Sequence, residues 1–299
     1  MALTSLISKM CRDFTALALV SCVCACSGDS FVSTQRKAEY LTEQAGWSYG
    51  VISSPPFTLA SAIAPSSPSS RGEILTIYLE GDGLAFLGPH TISRDPTPTD
   101  PLALRLALVH RGRPVAYLAR PCQYVKAPAC QPAYWTSHRY AADVVDSTSG
   151  AIDQIKVRTG ARRVILVGYS SGGALAVLVA ARRADVAGLV TIAANLDLDL
   201  WSRVHGLTPL SGSLDPANVA AAVAGIPQVH FVGGKDEIVP AIIARSFLAK
   251  ANGQDQAHLV AAEGFGHVCC WVDDWVGMQS NHALAVIPGW PQGLYKVHN

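Results

Sequence analysis

One stretch of the sequence, residues 163–173 with the letters RVILVGYSSGG, restricts the fold more than any other part of the chain. Its aliphatic run at 164–167 is typical of a strand that is buried on both faces of a sheet. Small and aliphatic residues follow at 174–181, a composition that favours a helix lying close against that sheet. The stretch therefore predicts a strand, a tight turn and a helix in direct succession.

The turn, with the letters GYSSG, matches the pattern G-x-S-x-G, in which a serine stands on a strained bend between a strand and a helix. Such a bend needs small residues two positions before and after the serine, because a Cβ there would collide with the opposing backbone. Ser170 has Gly168 and Gly172 at these positions. Ser171 would have Tyr169 at one of them. Ser170 is therefore the predicted nucleophile, and Ser171 is expected to offer its backbone N–H to developing negative charge.

Strand-like and helical patterns alternate along the rest of the chain. Strands are predicted at 57–64, 74–79, 114–118, 188–193, 229–232 and 258–261, and helices at 102–110, 140–157 and 241–251. Because such alternation implies a mostly parallel sheet with helices on both faces, the predicted fold class is α/β. In such sheets the functional side chains gather at the carboxyl ends of the strands.

Three residues that follow predicted strands have the chemistry of a catalytic triad. Ser170, Asp236 and His267 occur in the chain order that the α/β-hydrolase fold imposes. A serine hydroxyl is a poor nucleophile until a base takes its proton, and the imidazole needs a carboxylate that fixes its tautomer. Asp197 also follows a strand and remains an alternative acid.

Five segments in this order resemble the α/β-hydrolase superfamily over about residues 57–275, and more closely a group of bacterial α/β-hydrolase lipoproteins. They are YLEGDG at 78–83, LARPCQY at 118–124, GYSSGG at 168–173, VGGKD at 232–236 and GHVCCW at 266–271. The resemblance implies an α/β-hydrolase fold with a mostly parallel central sheet and a short cap insertion at 198–227. It also implies that Ser170 is the nucleophile, Asp236 the acid and His267 the base, and it implies no particular substrate.

The resemblance further implies an oxyanion hole made of backbone N–H groups. Ser171 would supply one donor, and the loop after an early strand would supply the other, with Asp82 placed first and Gly83 second. Superfamily members usually carry His-Gly before this donor, whereas this chain has Glu80 and Gly81.

The first 25 residues have the pattern of an export signal. Lys9 and Arg12 supply positive charge, and the apolar run behind them is too short to span a bilayer. The run ends in LVSCVCACSG, which resembles a bacterial lipoprotein signal. The lipidated cysteine would be Cys26, because polar residues begin directly after it, or alternatively Cys22.

An export signal sets the expected domain organisation and location. Residues 26–56 are expected to form a tether, and residues 57–299 a single α/β-hydrolase domain. The expected location is the bacterial cell envelope, with the chain held at a membrane by an N-terminal lipid anchor and facing the periplasm. Secretion after an ordinary signal cleavage is the alternative.

Four cysteines follow the signal-like segment and would lie in a compartment where disulfides persist. They allow three pairings. Cys122 with Cys130 closes a short loop and is the favoured pair. Because a bond between neighbouring cysteines is strained, cross-pairing of these two with Cys269 and Cys270 stays open.

The composition excludes some classes of function. A net charge of +1, only 15% charged residues and the lack of a basic run exclude nucleic acid as a partner. No C-x-x-C pair and no histidine cluster at zinc spacing occurs, so we expect neither a metal nor another cofactor.

The predicted function is a serine hydrolase that cleaves a carboxylic ester, or a thioester or amide, of a small acyl substrate through an acyl-enzyme. An acyltransferase on the same fold and a non-catalytic envelope binding protein are the alternatives. Trp201, Leu207, Pro209 and Leu210 in the insertion are candidates either for the lining of an acyl pocket or for packing in the core.

Overall fold

The computed structural model describes residues 29–65, 73–251 and 256–291. The signal-like segment with Cys22 and Cys26 lies outside the described residues. The strands are β1 (Ser48–Ser54), β2 (Phe57–Ile63), β3 (Ile74–Leu79), β4 (Phe86–Gly88), β5 (Thr91–Ile92), β6 (Val115–Leu118), β7 (Arg163–Tyr169), β8 (Val186–Ile192), β9 (Gln228–Gly233) and β10 (Ala257–Ala262).

Seven α-helices and three 3₁₀ helices cover this part of the chain. The α-helices are α1 (Asp29–Gln44), α2 (Leu102–Leu108), α3 (Ala142–Thr159), α4 (Ser171–Ala180), α5 (Leu198–His205), α6 (Ala241–Lys250) and α7 (Trp271–Met278). The 3₁₀ helices are Pro132–Trp135, Pro216–Val223 and His282–Val286. None of the helices described is long and apolar enough to cross a lipid bilayer.

Eight strands form one sheet in the order β1-β2-β6-β3-β7-β8-β9-β10. β2 pairs antiparallel with both β1 and β6, and every other neighbouring pair is parallel. The predicted α/β class with a mostly parallel sheet is therefore confirmed. The carboxyl ends of β3, β7, β8, β9 and β10 consequently meet at one edge of the sheet.

The central strand β7 shows why the sheet is covered on both faces. Val164 and Leu166 pack into the core that contains α3, α4 and α6, while Ile165 and Val167 pack into the core on the side of α2 and α7. All four side chains are fully buried. Burying one such aliphatic side chain stabilises the fold by about 1.5–3 kcal/mol, so the unbroken aliphatic run fixes β7 at the centre of the sheet.

The tether expected over 26–56 is wrong at its carboxyl end. Ser48–Ser54 is the edge strand β1, which pairs with β2 along its whole length. Gly50 and the dipeptide Pro55-Pro56 gave this segment the composition of a linker. The two prolines instead form the turn of a hairpin, and Ile52 is fully buried on the core side of the strand.

The insertion at 198–227 covers the site only with its first half. α5 lies beside the carboxyl edge of the sheet, but Pro216–Val223 packs against α4 and α6 in the body of the domain. Ala220 and Val223 of this 3₁₀ helix are buried in the core. Its apolar alanines make it a packing element, so the cap is shorter than the sequence indicated.

Candidate active site

The backbone of the turn after β7 is strained at Ser170, which has φ 51° and ψ −121°. A Cβ at Gly168 would lie 2.3 Å from the carbonyl oxygen of Gly172. One at Gly172 would lie 2.2 Å from the carbonyl oxygen of Leu79 on β3. Only glycine fits at both positions, and these two residues allow the bend that presents the Ser170 hydroxyl above the sheet.

The structure brings Ser170, His267 and Asp236 together. His267 Nε2 lies 3.0 Å from Ser170 Oγ. His267 Nδ1 lies 2.9 Å from Asp236 Oδ2. Both distances are those of hydrogen bonds, and the three residues come from the loops after β7, β9 and β10. The arrangement is that of a nucleophile, its base and the carboxylate that orients the base.

Asp236 is held so that one carboxylate oxygen is free for the imidazole. Its Oδ1 accepts hydrogen bonds from the backbone N–H groups of Ile238, at 2.9 Å, and Val239, at 2.8 Å. The Asp236 side chain is fully buried. Because its other partners are backbone groups just before α6, the carboxylate cannot turn away from His267.

The loop that carries His267 is fixed from two sides. The Tyr169 hydroxyl donates to the His267 carbonyl oxygen at 3.1 Å. Trp271 Nε1 lies 3.0 Å from the same oxygen and 3.0 Å from that of Gly266. The fully buried Trp271 ring thus anchors the turn before α7, and the imidazole needs little reorganisation to reach Ser170.

Asp197, the alternative acid, has a structural role instead. Its side chain caps α5 by accepting a hydrogen bond from the Leu200 N–H at 2.9 Å. Its Oδ2 also accepts from Ser246 Oγ, at 2.6 Å, and Lys250 Nζ, at 2.8 Å, both on α6. The carboxylate thus joins α5 to α6.

The backbone donors expected for an oxyanion hole flank Ser170. Ser171 is the first residue of α4, where N–H groups have no partner within the helix. In the loop after β3, the Gly81 N–H is already bound to Glu80 Oε1 at 2.9 Å. The N–H groups of Asp82 and Gly83 therefore remain as candidates for the second donor.

A buried ionic network lies beneath these donors. Arg120 Nη1 lies 2.7 Å from Asp82 Oδ1 and 2.6 Å from Ser171 Oγ. Arg139 Nη1 binds the other Asp82 oxygen. Burial alone would raise the pKa of Asp82, but the charges of Arg139 and Arg120 hold it below its usual value. The carboxylate is therefore ionised, and Arg120 connects both sides of the expected oxyanion hole.

Glu80 lies in the same loop and is also buried. Its Oε1 accepts from the N–H groups of Gly81 and Ala103, at 2.9 and 3.2 Å, and its Oε2 accepts from the Tyr117 hydroxyl at 3.2 Å. Despite these hydrogen bonds, burial raises the pKa of Glu80 to about 7. Glu80 thus ties the loop after β3 to the start of α2.

The triad opens into a cleft of about 520 Å³. Its lining includes Ser170, His267, Asn195, Trp201 and the loop after β3. In the ranges that the structure covers, no group of three or more His, Cys, Asp and Glu side chains is arranged to hold a metal ion. The cleft holds the Ser170 hydroxyl and the His267 imidazole side by side.

The four cysteines after the signal-like segment form two disulfide pairs. The structure joins Cys122 to Cys130, with Cα atoms 5.6 Å apart, and Cys269 to Cys270. Cross-pairing between the two groups, which the sequence left open, is therefore wrong: each pair is close in both sequence and space. The first pair lies in the loop that also carries Arg120.

Sequence reasoning missed the buried charges beneath the oxyanion donors. Arg120 and Glu80 occur in two of the segments that carry the family resemblance, LARPCQY and YLEGDG, but no role was assigned to either residue. Arg139 lies in a loop without a recognisable motif. A charged residue within two positions of the end of a buried strand is the one available signal, and of these three residues it applies to Arg120 and Glu80.

No protein-family model and no curated protein sequence matches this chain. Solved structures do resemble it. An esterase from Pyrococcus furiosus has a TM-score of 0.57 at 13% identity, with 82% of this chain and 93% of that chain covered. An alpha-beta serine hydrolase homologue from Coxiella burnetii has a TM-score of 0.55 at 14% identity, with 77% and 93% covered.

A third similar structure is a protein of unknown function from Agrobacterium tumefaciens that is described as a candidate alpha/beta hydrolase. Its TM-score is 0.56 at 15% identity, with 77% of this chain and 92% of that chain covered. At these identities the similarity concerns the fold. The chain has the α/β-hydrolase fold, and the fold implied by the sequence resemblance is confirmed.

Proposed function

We propose that this chain is a serine hydrolase that cleaves a carboxylic ester through an acyl-enzyme. The observation that carries the proposal is the pair of contacts made by His267, whose Nε2 lies 3.0 Å from Ser170 Oγ and whose Nδ1 lies 2.9 Å from Asp236 Oδ2. A binding protein has no need for a strained serine, a base and a buried carboxylate in this order.

In the first half-reaction, His267 Nε2 takes the proton of the Ser170 hydroxyl as Ser170 Oγ attacks the carbonyl carbon of the ester. The N–H groups of Ser171 and of Asp82 or Gly83 stabilise the negative oxygen of the tetrahedral intermediate. The intermediate collapses when the bond to the alcohol oxygen breaks. His267 then gives its proton to the departing alcohol, and the acyl group remains on Ser170.

In the second half-reaction, His267 takes a proton from a water molecule that attacks the acyl carbon. Collapse of the second intermediate releases the carboxylic acid and returns the proton to Ser170 Oγ. Asp236 holds the imidazole in the tautomer that both steps require and stabilises the imidazolium ion formed in each. No cofactor takes part in either step.

Two of the solved structures that resemble this chain support the choice of reaction class. One is an esterase and another is a serine hydrolase homologue. The ester is preferred to the amide because an alcohol leaves more readily than an amine, so it requires no further help from the site than His267 provides.

Ester hydrolysis by the purified domain tests the proposal. Ser170→Ala and His267→Ala are each expected to lower kcat by about 10⁴-fold or more, because triad members act as a unit. Full activity in Ser170→Ala would overturn the assignment. Product analysis with an added alcohol separates the alternative, since an acyltransferase would form a new ester where a hydrolase forms the free acid.

We also propose that the chain is exported and anchored in the bacterial cell envelope by a lipid at Cys26 or Cys22. The support is the signal-like sequence at its N-terminus. Metabolic labelling with a fatty acid should mark the wild-type protein. The label should be absent after Cys22→Ser and Cys26→Ser are combined, and its persistence there would disprove the proposal.

A further inference from the structure

A second cavity adjoins the catalytic cleft and is larger than it, at about 710 Å³. The two share Phe86, Arg139 and Trp201 in their linings, so they lie side by side. We call this second cavity the side groove. It runs between the hairpin formed by β4 and β5 and the segment that follows α5.

The side groove is mainly apolar and its walls are open to solvent. The hairpin contributes Phe86 and Leu87, and the segment after α5 contributes Leu207, Pro209 and Leu210. Leu87 is 63% exposed and Leu207 is 47% exposed. Large exposed apolar side chains on the two walls of a groove gain free energy when an apolar ligand covers them. The groove is therefore suited to a hydrocarbon chain.

Arg139, the one charged side chain among the described residues of the lining, is paired with Asp82, a carboxylate that it shares with Arg120. The Arg139 guanidinium binds the Asp82 carboxylate through Nη1 and donates from Nε to the Thr136 carbonyl oxygen at 2.9 Å. Its carbon Cζ lies 6.0 Å from the centre of the Phe86 ring. Nε and Nη1 of Arg139 are thus both bound within the protein.

The position of the base decides which part of an ester enters the groove. His267 protonates the departing alcohol, so the alcohol must lie on the His267 side of Ser170. The side groove is lined by residues 86–89, Thr136, Ser137, Arg139, Trp201 and residues 207–210, and none of the described residues of the loops after β9 and β10 contributes to it. The groove thus leads away from the alcohol.

The cleft near Asn195 has a different character. Asn195 follows β8, which lies between β7 and β9, and it is one of the residues that line the cleft. Its side-chain oxygen Oδ1 is buried. That oxygen accepts no hydrogen bond from the described part of the chain. A polar alcohol fits the cleft near Asn195 better than a hydrocarbon does, because the buried oxygen of Asn195 needs a hydrogen-bond donor.

We propose that the side groove binds the acyl chain of the ester, and that this chain is an unsubstituted aliphatic chain of medium length. This proposal rests on the proposed serine hydrolase function. The acyl carbonyl lies at Ser170, the alcohol lies toward His267 and Asn195, and the chain passes Phe86 and Trp201 to reach Leu207.

The test is a series of p-nitrophenyl esters from acetate to dodecanoate, assayed below the concentration at which they aggregate. For the wild type, kcat/KM rises about fourfold per added methylene until the groove is filled. Leu207→Glu places a charge in the groove and lowers the ratio of kcat/KM for decanoate to that for acetate by about tenfold or more. Leu87→Glu, on the opposite wall, has the same effect.

Val204→Glu is the matched control. Val204 lies on α5, is 47% exposed like Leu207, and is not part of the groove lining. This variant keeps the wild-type chain-length ratio. Equal ratios in Leu207→Glu, Leu87→Glu and Val204→Glu would overturn the groove assignment. The assignment would also be overturned if, in a series of alkyl acetates, the effect of Leu207→Glu on kcat/KM grew with the length of the alcohol chain.

The two proposals fail in distinguishable ways. A wild-type protein that hydrolyses acetate in a Ser170-dependent manner but shows no chain-length preference contradicts the acyl groove alone. A protein that hydrolyses no ester of the series, with or without a long chain, contradicts the hydrolase function and the groove together.

Discussion

Arg120 donates a hydrogen bond to Ser171 Oγ at 2.6 Å. A buried cation is therefore held against Ser171, the residue that directly follows the nucleophile. The same guanidinium binds the Asp82 carboxylate at 2.7 Å and lies 5.1 Å from the centre of the Tyr140 ring. Its side chain is 4% exposed. Arg120 is therefore positioned to set the distance between the two backbone donors of the oxyanion hole.

Arg120→Lys tests this positioning role. Lysine keeps the charge but cannot bind Asp82, Ser171 and the Arg139 carbonyl oxygen from one planar group. We expect kcat to fall by about tenfold or more while KM changes little, because the oxyanion forms only in the transition state. A merely structural role would lower stability and leave kcat of the folded fraction at the wild-type value, and that outcome would contradict the prediction.

Asp236→Asn and Asp197→Asn form a matched pair that identifies the acid. Asp236→Asn should lower kcat by about 10⁴-fold, because the amide favours the wrong tautomer of His267. Asp197→Asn should leave kcat at the wild-type level and cost about 1–3 kcal/mol of unfolding free energy, since it weakens the contact with Lys250. Steady-state kinetics and urea unfolding of both variants provide the comparison, and interchanged effects would assign the acid to Asp197.

The sequence predicted the parts of the fold that depend on local pattern. The buried run at 164–167 and the glycines around Ser170 have one compatible geometry. The amino-acid sequence alone therefore predicts β7, the turn and α4. β1 was missed for the opposite reason. Its glycine and the prolines behind it resemble a linker, and only pairing with β2, which is a tertiary contact, makes the segment a strand.

Gly172→Ala tests the close approach of the elbow to β3. The added Cβ would lie 2.2 Å from the Leu79 carbonyl oxygen and 2.6 Å from that of Glu80, both rigid backbone atoms. We expect loss of soluble folded protein or of about 3 kcal/mol or more of unfolding free energy. Gly277→Ala is the control, because a Cβ at this position in α7 meets no atom within 4 Å. It should stabilise the protein by about 0.5–1 kcal/mol. Equal stability of the two variants would contradict the prediction.

Glu80 gives the fold a specific pH dependence. Because burial raises its pKa to about 7 from an ordinary 4.5, the folded protein holds this proton more tightly than the unfolded chain. The resulting stabilisation is fully present below the pKa that Glu80 has in the unfolded chain, and it is lost as the pH rises through about 7. Wild-type protein should therefore lose about 3 kcal/mol relative to Glu80→Gln between about pH 4.5 and about pH 7.5.

Denaturant unfolding of the wild type and of Glu80→Gln at about pH 5 and about pH 8 measures this difference. The comparison between the two proteins removes the contribution of all other titrating groups. Parallel changes in the two free energies would show that Glu80 has the same pKa in the folded and unfolded chains, contrary to the expectation.

Sequence order indicates the catalytic triad but not the ion pairs beside it. The order of Ser170, Asp236 and His267 indicated the triad, because parallel strands bring their carboxyl ends to one edge. The pairing of Asp82 with Arg120 and Arg139 could not be read in this way. These contacts span 38 and 57 residues and depend on how the loops after β3 and β6 fold back over the sheet.

The most direct test of the central claim is covalent labelling of the folded protein with a fluorophosphonate, followed by peptide mass spectrometry. We expect one label, on Ser170, because its hydroxyl is the one activated by His267. Ser171→Ala should still be labelled, and Ser170→Ala and His267→Ala should not. Folded wild-type protein that takes no label, or a label on Ser171, would contradict the assignment of Ser170 as the nucleophile.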